Sequence, residues 1–344
     1  MDTYKVGVVG HFGGTEQFLD GQTVKSKSLT QALKKQCGNV ATVDTYRWKH
    51  RFFKFLKDLF LLCKTSRNII IMPALNGVKI FVPLFVFMRI FFHFRLFYVV
   101  IGGWLPELVR EKKLLMNCLS KLDGVFVETG GMQKSLYTLG LHNVQVMPNF
   151  KEYKKIKNQK QLPQIPYKLC TFSRVTEQKG IEDAIRAVVS INNKLGRTVY
   201  SLDIYGQIEE GYQERFSKIL ATLPQYIQYA GAIPYDKTSA VLHEYFLLLF
   251  PTYYYGEGFA GTILDAYAVG LPVVASDWRY NEEVVEDGKT GLLFPPHDLE
   301  KLQSILLEMA DNPQKVMEMS QQCLDRVESY KPDKVIQILL NALG

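Results

Sequence analysis

Cysteine is scarce in this 344-residue chain, and the five present, at 37, 63, 118, 170 and 323, are odd in number and widely separated. That spacing offers neither a disulfide framework nor a zinc-ligand set, and reads as reduced thiols in a cytosolic chain. No Asp-x-Asp pair occurs, so the sequence offers no obvious ligand pair for Mg²⁺. Nor is there a transmembrane stretch of about twenty apolar residues. Within the apolar segment Lys79–Arg95, the uncharged run Ile80–Met88 is nine residues long. The opening, Met1 to Val9, reads as a first strand rather than a signal peptide. Helix-turn-helix, zinc-finger and RNP-like patterns are missing as well, which counts against a nucleic-acid partner.

What remains is the composition of a globular protein, 47% hydrophobic and 22% charged, long enough for two domains. The net charge of +7 conceals a division. Residues 1–160 carry 25 Lys and Arg against 10 Asp and Glu, whereas the rest carry 16 against 24. A basic half suggests a polyanionic partner, and its aromatics favour a membrane surface over nucleic acid. They are phenylalanines at helical spacing, not isolated stacking residues on a strand.

Two segments carry that suggestion. In residues 51–64, Phe52, Phe55, Leu56, Leu59 and Leu62 share one helical face, with Lys54, Lys57 and Lys64 elsewhere. This is the pattern of a helix lying in a membrane interface, and equally that of a surface helix docked on its own core. The second segment, Lys79–Arg95, is apolar nearly all round, with Arg89 and Arg95 able to snorkel to headgroups. Phe52, Lys54, Lys57, Arg89 and Arg95 are therefore the expected contacts with an anionic inner membrane face.

The strongest local pattern lies between 246 and 276. Phe246–Phe250 reads as a buried strand ending at Pro251. A small-residue loop follows, then a helix with Ile263, Leu264, Tyr267 and Ala268 on one face. Gly270 and Pro272 stop that helix before the strand Val273-Val274-Ala275. A helix N-terminus after such a loop presents free amides and a positive dipole end to an anion. Gly258, Ala260 and Gly261 let a ligand approach the backbone. Glu257 and Asp265, eight residues apart, are better suited to hydroxyl donors than to phosphate. Upstream, Arg174 and Lys179 bracket a strand-to-helix loop that ends at Gly180, and can converge on one anion.

Glu257-Gly258-Phe259, Asp265-Ala266 and Gly270-Leu271-Pro272-Val273 resemble the donor-site signature of the retaining glycosyltransferases of family four. Arg174 with Lys179-Gly180 resembles the pair that clamps the donor diphosphate in that family. The resemblance covers most of the chain, more strongly over 168–295 than over 1–150. It implies an α/β protein of the GT-B fold, two Rossmann-like domains facing across a cleft. The expected divisions are 1–160, membrane-facing and acceptor-binding and including a basic linker; 161–330, donor-binding; and a C-terminal helix, 331–344, crossing back to the first domain. Lysine-rich residues 151–166 read as that linker.

By resemblance, Glu257 holds donor-sugar hydroxyls. Gly258, Phe259, Ala260, Gly261 and Thr262 receive the diphosphate, and Asp265 holds the ribose, where the family usually has glutamate. The loop Asp20–Lys25, with Gly21, faces the donor phosphates. The Gly10-His11-Phe12-Gly13-Gly14 turn lacks the full dinucleotide fingerprint. Gly103 and Trp104 stand on the acceptor side, where many relatives have a catalytic histidine; neither His11 nor His93 fits that place. Arg279 and Tyr280 replace the paired glycines of relatives.

The implied activity is retaining, metal-independent sugar transfer with no cofactor. A nucleoside-diphosphate sugar is the donor and a lipid-linked or oligosaccharide acceptor receives the sugar, in polysaccharide assembly at the inner membrane face. A nucleotide-sugar epimerase, a non-catalytic nucleotide-sugar-binding or membrane scaffold protein, and a nicotinamide dehydrogenase using the Gly10 turn are the alternatives.

Overall fold

The computed structural model describes residues 4–14, 21–153, 164–234 and 237–344. Asp20 and most of the expected linker, 154–163, lie outside the described residues. The chain divides into two compact units, Met1–Glu152 with Tyr330–Gly344, and Tyr153–Ser329.

Unit 1 is built on a parallel sheet of β1 (Tyr4–Gly10), β2 (Val40–Asp44), β3 (Ser66–Ile71), β4 (Arg95–Val99), β5 (Gly124–Val127) and β6 (Val144–Val146). Their spatial order is β2-β1-β3-β4-β5-β6. Unit 2 repeats the plan with β7 (Tyr167–Phe172), β8 (Tyr200–Tyr205), β9 (Ile227–Gly231), β10 (Leu247–Phe250), β11 (Val273–Ser276) and β12 (Gly291–Phe294), ordered β12-β11-β10-β7-β8-β9. Helices pack against both sheets, and strands covered on both faces read as unbroken apolar runs rather than alternating ones. Ile69, Ile70 and Ile71 of β3 and Leu247, Leu248 and Leu249 of β10 are accordingly buried.

Each order reverses once, at β1/β3 in unit 1 and at β7/β10 in unit 2. Loops leaving the carboxyl ends of two strands that run apart at such a point leave a crevice, which is where open α/β sheets bind ligands. In unit 2 those loops are the ones beginning at Ser173 and at Pro251.

The apolar segments of unit 1 are divided between core and surface. On the helix Phe52–Thr65, Phe55, Leu59 and Leu62 are buried, so the expected membrane face partly points inward. The helix Leu75–Met88 buries Val78, Phe81, Val82 and Phe85. Trp48 joins the two helices by ring contacts with Phe55 and Phe81.

The last helix, Pro332–Leu343, belongs to unit 1. Its Val335, Ile336, Leu339 and Leu343 pack with Leu29, Ala32 and Leu33 of the helix Gly21–Cys37 in one core. Pro332 opens this helix at a position where a missing N–H costs nothing.

Ile336 is wholly buried, so Ile336→Ala is expected to destabilise unit 1 by about 2–5 kcal/mol. Urea unfolding followed by a probe in each unit should show the transition of unit 1 shifted and that of unit 2 unchanged.

Candidate active site

At the reversal point of unit 2, two loops are locked to one another. After β7 the chain makes a single 3₁₀ turn, Glu177–Lys179, and passes through Gly180 at φ 68° into the helix Ile181–Leu195. A Cβ on Gly180 would lie 2.0 Å from the carbonyl oxygen of Pro251. Only glycine allows both the left-handed backbone and this approach. Beside it, Tyr253 N–H donates to the carbonyl of Gln178 at 2.8 Å.

This junction sets Lys179 against Glu257. Lys179 Nζ is 2.5 Å from Glu257 Oε2, and both side chains are buried. The Thr252 hydroxyl donates to the same oxygen at 2.8 Å. Both bonds fall on Oε2, which leaves Oε1 to accept from a ligand. Removing either partner of a buried ion pair costs about 3–5 kcal/mol, because a charge is stranded out of water.

Arg174 stands half-exposed on the same loop, with Glu209 at 3.7 Å. Its guanidinium carbon lies 5.1 Å from the ring centre of Tyr254, and Lys179 Nζ lies 4.9 Å from the same ring. The two cations are thus brought to one place, and Glu257 with them.

Gly258 and Phe259 are buried in the turn that leads to the helix Gly261–Ala268. That helix begins at Ala260, whose side chain supplies no cap, so no capping side chain of that residue competes with an anion there. Thr262 Oγ1 donates to the carbonyl of Phe172 at 2.8 Å, which ties the helix start to the end of β7. Asp265, one turn further along the helix, is buried. Thr252, Tyr254, Ser276 and Trp278 complete the support. Trp278 Nε1 donates to the Tyr254 carbonyl at 2.9 Å, and the Ser276 hydroxyl donates to that of Thr252. Arg279 has φ 56°, a left-handed conformation that favours glycine. Its guanidinium lies over the rings of Tyr255 and Tyr280.

Further along the sheet edge, Tyr205, Tyr245 and Asp203 form a chain of hydroxyl contacts of 2.7 and 2.6 Å. Burial, then the bond to Asp203, pushes the Tyr245 hydroxyl far above its ordinary pKa and keeps it a proton donor.

In unit 1 the Gly10 turn is engaged by the protein itself. Asp44, at the end of β2, accepts from the amides of Phe12 and Tyr46 through Oδ1 and from Gly14 through Oδ2, each at 2.8 Å. A dinucleotide reading would need that acid for a ribose. Gly10 itself serves packing, since a Cβ there would meet Ser26 Oγ at 3.0 Å. Gly21, the first residue of its helix, has open space where its Cβ would be.

Gly103 and Trp104 are buried. Behind them lies a pair that the sequence did not signal. Lys25 Nζ donates to the carbonyl of Val100 at 2.9 Å and to Glu128, all within the buried interior. Arg89 and Arg95, expected at lipid headgroups, instead converge on Asp123 at 3.2 and 3.8 Å. Arg89 also donates to the carbonyl of Lys121, and Arg95 to that of Leu343.

The sequence model of the family described as Glycosyl transferases group 1 matches residues 152–325, about half of the chain. The chain belongs to this family. Among curated group 1 relatives, the amylovoran biosynthesis glycosyltransferase AmsK of Erwinia amylovora is 28% identical over 149 residues, 42% of this chain and 36% of AmsK. The match thus spans little more than a third of that relative's length. In overall fold the chain is similar to sucrose-phosphate synthase from Thermosynechococcus elongatus, with TM-score 0.78 and 14% identity over 98% of both chains. It is similar too to Anabaena HepE in complex with UDP and glucose, with TM-score 0.76 and 15% identity over 99% of both. The expected GT-B class of fold is the one found.

In this member of the group 1 family, the contact between Gly180 and Pro251 is the joint between the two loops. Gly180→Ala is expected to cost at least about 1 kcal/mol from the left-handed backbone alone. Urea unfolding of unit 2 should show it, with a further loss as the Pro251 loop moves away.

Proposed function

We propose that the chain is a retaining, metal-independent transferase that moves a sugar from a nucleoside-diphosphate donor to a lipid-linked saccharide in polysaccharide assembly. One observation carries the reading. Two cations and a carboxylate meet beside an uncapped helix start, at the point where the order of a parallel sheet reverses. In this reading Arg174 and Lys179 grip the donor diphosphate, aided by the amides of Gly258 to Thr262. Glu257 Oε1 accepts a hydroxyl of the sugar, and Asp265 holds the ribose. The crystal structure of HepE with UDP and glucose, and the name of AmsK, support the donor class and the pathway.

Chemically, the bond from the anomeric carbon to the diphosphate oxygen breaks while the acceptor oxygen bonds that carbon on the same face. The acceptor proton passes to the departing phosphate. The two cations and the helix amides stabilise the charge that gathers there, taking the place of a metal ion. Holding donor and acceptor in attack geometry would supply proximity, with Gly103 and Trp104 assigned to the acceptor and Gly21 to the donor.

The membrane contact is also a proposal, on a revised set of side chains. Phe53, Leu56 and Phe60 form an exposed stripe along the helix Phe52–Thr65, flanked by Lys54, Lys57 and Lys64. Phe60 packs on Phe92, and Phe87 and Phe91 extend the apolar surface. Phe53 is 86% exposed, a poor arrangement in water and a good one in a lipid interface. Among the described residues no helix is long and apolar enough to cross a membrane.

A thermal-shift screen of nucleotide sugars tests the first part. A true donor at one hundred times its dissociation constant raises stability by about 2.7 kcal/mol. Arg174→Ala and Glu257→Gln should remove that response, and an unchanged response in both would sink the assignment. For the second part, flotation with vesicles containing phosphatidylglycerol should carry the wild type. Phe53→Ser with Phe60→Ser should remain at the bottom of the gradient.

A further inference from the structure

Tyr254 stands apart from the residues that touch a donor in the proposed reading, yet both cations of that reading lie over its ring, at 5.1 and 4.9 Å. Its main chain is held on every side. The N–H donates to Thr252 Oγ1 at 3.2 Å, and the carbonyl accepts from Trp278 Nε1 at 2.9 Å and from Glu257 N–H at 3.0 Å. The ring in turn occupies the space left by a missing side chain. A Cβ on Gly256 would lie 2.7 Å from Tyr254 Cε1 and 3.0 Å from both Cζ and the hydroxyl oxygen.

Apart from the Phe250 ring, 5.5 Å from Lys179 Nζ, the other partners of the two cations among the described residues are carboxylates. Arg174 faces Glu209 and Lys179 faces Glu257. A carboxylate partner neutralises a cation and competes with an incoming phosphate. An aromatic face attracts the same cation through its quadrupole and leaves the charge intact. It also fixes two long side chains that otherwise lose rotamer freedom when a ligand arrives.

We infer that Tyr254 is a positioning residue for the diphosphate end of the donor, its ring holding Arg174 and Lys179 ready as a pair, with Gly256 leaving room for it. The inference rests on the proposal that these two cations grip the diphosphate. Tyr254 contributes through its ring, not its hydroxyl, and touches neither the sugar nor the breaking bond.

Calorimetric titration of the full chain with UDP, GDP and ADP tests it, using the tightest of the three. Tyr254→Phe keeps the ring and should bind as the wild type does. Tyr254→Leu should bind about five- to thirtyfold more weakly, the loss of two cation–ring contacts. Gly256→Ala, which pushes the ring aside, should show a similar loss and add nothing to Tyr254→Leu. It carries the same expectation should the leucine variant not fold. In an Arg174→Ala background, Tyr254→Leu should cost markedly less, a coupling that a merely structural residue would not show. Full affinity in Tyr254→Leu or Gly256→Ala, with Arg174→Ala weakened, overturns the inference and leaves the donor site standing. No binding by the wild type, or full affinity in both Arg174→Ala and Lys179→Met, overturns the donor site and the inference together.

Discussion

Lys179 and Glu257 neutralise one another inside the protein, and the residues around them keep that meeting in place. An ion pair is a weak source of stability when buried, because desolvation offsets most of its attraction. Its use here is positional. It fixes a loop from β7 to a loop from β10, and the same junction contains the Gly180–Pro251 approach and the Gln178–Tyr253 bond. A phosphate group entering beside Lys179 would exchange one anionic partner for another. Glu257 would then be free to turn its charge towards hydroxyl donors.

Topology explains why the pair sits where it does. Strands β7 and β10 are neighbours whose connections run in opposite directions, so the loops that follow them have nothing between them but each other. Unit 1 has the corresponding place at β1 and β3, and fills part of it differently. There Asp44 ties down the Gly10 turn, and Lys25 with Glu128 holds the carbonyl of Val100, just ahead of Gly103 and Trp104. One reversal point brings together Arg174, Lys179 and Glu257; at the other, Asp44 is bonded to the amides of its own turn.

Much of unit 2 was legible in the chain. The helix that buries Ile263, Leu264 and Tyr267, its stop at Gly270, and the loop from Arg174 to Gly180 all have local signals: periodicity, glycine, and charges at short spacing. Tyr254, Thr252 and Trp278 were not visible, since their roles depend on contacts between loops from different strands. Unit 1 misled more. The apolar stretches 51–64 and 79–95 suit a membrane interface and a protein core alike, and periodicity cannot tell which face meets which. The structure divides them, with Phe55, Leu59 and Phe81 inside and Phe53, Phe60 and Phe91 outside. Arg89 and Arg95 looked free to snorkel because Asp123, their partner, lies on another part of the chain.

Because Pro332–Leu343 completes the core built around Leu29 and Leu33, unit 1 is written in two pieces with all of unit 2 between them. A ribosome therefore delivers every residue of the second unit before it delivers the last helix of the first. Until that helix arrives, the face of the helix Gly21–Cys37 that it covers has no partner from it. The core of unit 1 is thus complete only after every residue of unit 2 has been made, so the half of the molecule that begins first is the half that finishes last.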